Sequence, residues 1–276
     1  MNSHWKWAAL SMLALAPAAA ETALDWRVMK SPAGFRYAVT GGVPAAPAAT
    51  LILLGGSMDD IIIQDTFERI AQPWRKAGGV IVTLDSPSHG AEQPADEKNS
   101  LRDWRRRLVA GDNFVPTFTA RLRSLLDQLI RDRYADPARV AAAGISRGGF
   151  LALHFAAVEP RVRVIGAFTF VSELTTLVEF NGAEQVPLVR SLAAAHLVDR
   201  LSDRKLFGII GSTDYRAGTA RAVEFFTRLA ETTVAQGRPP NAELRIVPVA
   251  GHQLELRDFA AGGEWLAQMA VQRNWR

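Results

Sequence analysis

Residues 140–158 read Val-Ala-Ala-Ala-Gly-Ile-Ser-Arg-Gly-Gly-Phe-Leu-Ala-Leu-His-Phe-Ala-Ala-Val. The run up to Ile145 has the near-continuous hydrophobicity of a strand buried on both faces, and Phe150 to Val158 continues as an apolar helix. Between them lies Gly144-Ile145-Ser146-Arg147-Gly148, a G-x-S-x-G pattern in a strand-to-helix turn. Such a turn holds Ser146 in a strained backbone conformation with its hydroxyl exposed above the sheet. A Cβ at Gly144 or Gly148 would clash as strand and helix close on each other, and the helix start sets a positive dipole beneath the serine. The bland alternative is a glycine-rich connection carrying an inert serine. A nucleotide-binding turn fails on spacing, because G-x-G-x-x-G is absent, and no G-x-x-x-x-G-K, H-E-x-x-H or calcium-loop pattern occurs.

A serine hydroxyl is a poor nucleophile near neutral pH, so a base must take its proton and a third group must orient that base. The chain has 5 histidines. His4 lies in the N-terminal leader discussed below, His89 precedes Ser146 in Asp85-Ser86-Pro87-Ser88-His89-Gly90 and reads as a loop stabiliser, and His154 and His196 sit in helical, apolar surroundings as packing residues. His252 remains, in Ala250-Gly251-His252 directly after the last strand. Asp214, in Gly211-Ser212-Thr213-Asp214 after a Leu206–Ile210 strand, is the candidate orienting acid, with Glu173 as its competitor; the order is then Ser, Asp, His. An Asp that only caps the next helix is the plainer reading of Asp214. An oxyanion needs two N–H donors. One is the amide of Arg147, and the other comes from Gly55-Gly56-Ser57-Met58, with Ser57 ahead of Gly56.

Outward from this centre, short strand-like runs recur at 49–54, 80–84, 140–145, 164–171, 205–210 and 244–249, and helical spacing fills 65–76, 118–134, 147–158, 188–201, 219–236 and 259–272. Gly or Pro marks the joins, as at Gly78-Gly79, Asp136-Pro137 and Pro239-Pro240. This alternation predicts an α/β fold, a mostly parallel sheet with helices on both faces, preceded by an antiparallel pair at 26–30 and 35–40. Ligands bind such sheets outside the carboxyl ends of the strands. The long connection 172–204 contains Leu177 and Phe180 and reads either as a small cap over the pocket or as one extra surface helix. Met58 and Trp104 are candidates to line an apolar substrate pocket alongside them, though Trp104 reads equally as ordinary core.

The 276 residues are 48% hydrophobic and 22% charged, so one well-buried domain needs no staple. With no cysteine, disulfides, thiol nucleophiles and zinc–cysteine sites are excluded. A net charge of +4 argues only weakly for nucleic acid, and Arg105-Arg106-Arg107 reads as a solvated helix face. One Lys, the apolar run 8–16 and Pro17-Ala18-Ala19-Ala20 form the pattern of a secretory signal peptide cleaved after Ala20, with a single domain at 21–276. That run is too short to span a bilayer, which predicts a periplasmic or secreted protein without stable membrane insertion.

These residues resemble the α/β-hydrolase superfamily. Leu53-Leu54-Gly55-Gly56-Ser57 is similar to its oxyanion strand-turn, Asp85 to Gly90 to its D-x-P-x-H-G turn, Gly144 to Gly149 to its nucleophile elbow, and Asp214 and His252 to its acid and base sites. Asp136-Pro137-Ala138-Arg139-Val140 leading into the elbow resembles dienelactone-hydrolase-like and prolyl-oligopeptidase-like catalytic domains. The expectation is an exported serine hydrolase cleaving small-molecule carboxylic esters through Ser146, Asp214 and His252, with no metal or organic cofactor and no nucleic-acid partner. A small peptidase or amidase acting on short peptides, and a non-catalytic binding protein on the same fold, are the alternatives.

Overall fold

The computed structural model describes residues 24–271; the leader expected at 1–20 lies outside them. Eight strands among the described residues form one sheet: β1 (Trp26–Lys30), β2 (Arg36–Thr40), β3 (Ala48–Leu54), β4 (Val80–Leu84), β5 (Ala135–Ile145), β6 (Val162–Phe168), β7 (Lys205–Thr213) and β8 (Ala242–Ala250). Their spatial order is β1-β2-β4-β3-β5-β6-β7-β8. β1 and β2 pair antiparallel, as does β2 with β4, and every other pairing is parallel. Every residue of β3 and β4 is buried, which the unbroken apolar runs require of strands covered on both faces.

The chain leaves β3 toward β4 on one side and resumes at β5 on the other, so connections depart in opposite directions at the β3/β5 boundary and a crevice opens there. Period-two alternation divides the strands between two cores. Leu51 and Leu53 face α2 (Asp65–Lys76) and α9 (Leu256–Val271) through Phe67, Ile70, Trp74 and Leu266. Ile52 and Leu54 face the larger core containing Trp104 of α3 (Ser100–Val109), Phe118 of α4 (Phe114–Arg131), Phe150 of α5 (Arg147–Val158) and Phe225 of α8 (Thr219–Ala235). No helix among the described residues is long and apolar enough to cross a membrane.

Three expectations need correction. Asp136-Pro137 does not stop a helix but lies inside β5, where the register slips: Ala48 pairs with Ala135 and Thr50 with Val140, so the irregularity absorbs a residue that cannot donate to the ladder. The helix expected at 188–201 is broken into α6 (Pro187–Ser191), a 3₁₀ turn (Ala194–Leu197) and α7 (Val198–Leu201). There Ala193 is extended, Ala194 donates its N–H to the Ser172 carbonyl at 2.8 Å, and the Leu192 carbonyl accepts from His154, so tertiary bonds replace helical ones. His196 is exposed rather than packed.

The arginine triplet lies on α3, directly after the buried Trp104, with Arg106 exposed and Arg105 and Arg107 half-buried. Arg106 pairs with Asp103, and Arg107 pairs with Asp112 at 2.7 Å and covers the Phe114 ring.

Candidate active site

Ser146 stands between β5 and α5 at φ 56°, ψ −116°, a conformation that strains a residue with a Cβ. Four backbone bonds hold it there. Its N–H donates to the Phe168 carbonyl (2.8 Å), and its carbonyl accepts from Gly149 (3.1 Å), Phe150 (3.3 Å) and Val171 (3.2 Å). The flanking glycines are steric requirements: a Cβ on Gly148 would lie 2.0 Å from the Leu54 carbonyl oxygen, and one on Gly144 would lie 2.3 Å from the Gly148 carbonyl carbon. The helix start thus rests directly on the backbone of β3.

The structure brings the three separated residues together. Ser146 Oγ–H donates to His252 Nε2 at 2.9 Å, and His252 Nδ1–H donates to Asp214 Oδ2 at 2.9 Å. Gly251, at φ 80°, turns the chain out of β8 so that His252 reaches back across the sheet. Asp214 is 1% exposed, and its Oδ1 accepts from the amides of Arg216 (3.1 Å) and Ala217 (2.9 Å), so one oxygen fixes the turn before α8 and the other fixes the imidazole tautomer. Glu173 instead accepts from the Thr175 hydroxyl at 3.3 Å and lies 3.6 Å from Arg221. Sequence reasoning missed Thr169, whose Oγ1 stands 3.3 and 3.4 Å from the two ring nitrogens of His252.

A cleft of about 520 Å³ opens above Ser146, with Gly56, Arg147 and His252 on its walls. Its apolar surface comes from Phe67, Ile145, Leu254 and Phe259. Met58, Trp104, Leu177 and Phe180, expected as lining, are fully buried elsewhere. The Met58 amide donates to Asp85 (2.8 Å), Trp104 Nε1 donates to the Pro87 carbonyl (2.7 Å), and Leu177 and Phe180 fill the larger core. Of the two turn residues weighed for the oxyanion, Gly56 lines the cleft, whereas Ser57 caps α1 (Met58–Ile63), its Oγ accepting from the Asp60 amide at 3.1 Å and donating to the Asp60 carboxylate at 2.6 Å. Ser86 pins that turn from just beyond β4, its amide on the Gly56 carbonyl (3.0 Å) and its hydroxyl on the Gly55 carbonyl (2.8 Å).

His89 has a larger place than loop stabiliser. Its Nδ1–H donates to the Pro87 carbonyl at 2.8 Å, its Nε2 accepts from Arg147 Nη1 at 2.7 Å, and it lines the cleft. Burial, then the Arg147 charge, pulls its pKa down to about 4, and burial does the same for His154, also to about 4. The unfolded chain therefore binds more protons between pH 6.5 and 4, and the stability present above pH 6.5 is lost as pH falls through this window. Each histidine accounts for about 3 kcal/mol of that loss once the pH reaches the acid end of the window. Urea unfolding at pH 5 is expected to give a stability roughly 4 kcal/mol below that at pH 7.5; equal values would contradict the buried neutral state of both rings. Among the described residues, no cluster of three or more His, Asp or Glu side chains is placed to hold a metal ion.

Three solved structures resemble this one in fold: TT1662 from Thermus thermophilus, at a TM-score of 0.65 and 19% identity over 90% of this chain and 99% of that one; an S-formylglutathione hydrolase from Agrobacterium tumefaciens, at 0.64 and 16% over 90% and 97%; and Porphyromonas gingivalis dipeptidyl peptidase 4, at 0.64 and 14% over 89% and 35%. No curated protein sequence matches the chain. The sequence pattern of the prolyl oligopeptidase family matches residues 66–271, a stretch that takes in the serine, the aspartate and the histidine. With an eight-stranded α/β-hydrolase sheet beneath that match, the chain belongs to the prolyl oligopeptidase family of serine hydrolases.

Proposed function

We propose that this protein is an exported serine hydrolase that cleaves carboxylic esters through an acyl-enzyme. The observation that carries the reading is the unbroken chain from Ser146 through His252 to Asp214, 2.9 Å at each link, at the floor of an open cleft. In this mechanism His252 takes the Ser146 proton as Oγ attacks the ester carbon, and Asp214 stabilises the imidazolium that forms. The amides of Arg147, first of α5, and of Gly56 face the oxygen that gains charge. His252 then gives its proton to the departing alcohol, and water, activated by the same imidazole, releases the acid. The leader pattern of Met1 to Ala20 supports export.

Peptide bonds are the second substrate class, favoured by the family match itself, since the same machinery cleaves amides. A fluorophosphonate probe on protein expressed with its leader in a Gram-negative host should label a periplasmic chain beginning at Glu21, with the adduct on Ser146. Labelled protein should hydrolyse neither substrate class, and unlabelled protein should turn over short p-nitrophenyl esters but not peptide p-nitroanilides. Folded protein that takes no label would point to a binding role instead, and anilide turnover to a peptidase.

A further inference from the structure

The Arg147 side chain has no obvious reason to be an arginine if only its backbone amide serves the reaction. Its guanidinium lines the cleft, half-buried, and its bonded partner is the neutral His89 ring at 2.7 Å. It forms no salt bridge with any described residue. Burial, followed by repulsion from Arg216, pulls its pKa below the ordinary arginine value, and the nearby carboxylates of Glu179 and Asp60 offset this only in part.

Those neighbours are already engaged. Arg216, also on the cleft wall, pairs with Glu179 at 2.7 Å, and Asp60 accepts the Ser57 hydroxyl at 2.6 Å while lying exposed at the mouth. One partly desolvated positive charge therefore faces the cleft without an ion-pair partner, an arrangement that costs stability unless a ligand supplies the counter-charge. His89 acts as a positioning residue. Its Nδ1–H is committed to the Pro87 carbonyl, which leaves Nε2 as an acceptor that orients the guanidinium.

Topology says which end of a substrate the charge meets. His252 and Asp214 follow β8 and β7, on one side of Ser146, while Gly56 and His89 follow β3 and β4, on the other. The leaving group must lie near the His252 imidazole that protonates it, so the acyl chain extends toward His89 and the Arg147 guanidinium. We infer that Arg147 selects esters whose acyl portion carries a single negative charge, a carboxylate at its far end, which the planar guanidinium binds in the cleft. The guanidinium fork matches carboxylate geometry, and the exposed Asp60 carboxylate on the same cleft wall, which no cation among the described residues pairs, repels a phosphate dianion more than a monoanion. This deepens the serine-hydrolase reading and rests on it.

The test compares two esters of equal acyl length with the same leaving group, mono-p-nitrophenyl adipate and p-nitrophenyl hexanoate. Wild-type kcat/KM should favour the adipate by about 10- to 100-fold, as expected of a charge-assisted hydrogen-bonded pair. The preference should shrink with added salt. Arg147→Met should bring the ratio of the two kcat/KM values close to one, and Arg147→Lys should restore part of it. The ratio is the readout because the Arg147 amide also serves the oxyanion. A third ester, 3-carboxyphenyl hexanoate, moves the charge to the leaving group and should gain nothing over phenyl hexanoate. Turnover of both p-nitrophenyl esters without preference, or a preference that survives Arg147→Met, overturns the inference and leaves the hydrolase standing. A protein that hydrolyses none of these esters and takes no fluorophosphonate at Ser146 overturns both.

Discussion

Ser146→Ala is expected to lower kcat on a short ester by about 10⁴- to 10⁶-fold and to abolish fluorophosphonate labelling. The loss should fall on kcat rather than KM, because Oγ forms a bond only once the substrate is already in place. Residual turnover above uncatalysed water, about 10³-fold, would come from the oxyanion amides and the cleft, which the substitution leaves intact. The structure separates this loss from misfolding. The serine side chain makes no capping bond to α5, and its backbone bonds to Phe168, Gly149, Phe150 and Val171 do not depend on the hydroxyl. Thermal unfolding of the variant should therefore match the parent within about 1 kcal/mol. A variant that keeps more than a few per cent of parent kcat would remove Ser146 from the reaction.

Asp214→Asn is expected to cost about 10⁴-fold in kcat, and Glu173→Gln less than about threefold. The substituted amide can still accept the Arg216 and Ala217 N–H groups through its carbonyl oxygen, so the turn before α8 survives. Its NH₂ group would then face His252 Nδ1 and favour the tautomer with the proton on Nε2, where it cannot accept from Ser146. The charge that stabilises the imidazolium is lost at the same time. Glu173 shares none of these bonds, its carboxylate being held by Thr175 and Arg221. Kinetics on the purified pair, with circular dichroism to confirm folding, decide the matter; a larger loss in the Glu173 variant would move the acid to that position.

Much of the architecture was legible because the governing signals are local. Glycines that a backbone contact demands, β-branched runs buried on both faces and turn residues after each strand all act within a few positions, and they place Ser146, Asp214 and His252 after the carboxyl ends of β5, β7 and β8. The cleft wall was not legible. Met58, Trp104, Leu177 and Phe180 carry the same apolar character as Phe67, Leu254 and Phe259, and only the assembled packing decides which group faces core and which faces solvent. The same holds for the 188–201 helix, whose spacing is helical but whose carbonyl at Leu192 is claimed by a distant histidine on α5. His89 stood within a motif whose residues suggested a turn, and its bond to Arg147 joins that turn to the first residue of α5, 58 positions away.

The suspension of Ser146 between β3, β5 and β6 has an evolutionary corollary. Gly148 lies against the Leu54 carbonyl and the Ser146 carbonyl is tied to Gly149, Phe150 and Val171, so the nucleophile is anchored by main chain alone and is indifferent to the side chains that surround the mouth. A rigid hub of that kind lets the loops that line the cleft drift, lengthen and acquire new tastes without retuning the proton path, a division of labour by which one scaffold can diversify its diet while conserving its chemistry.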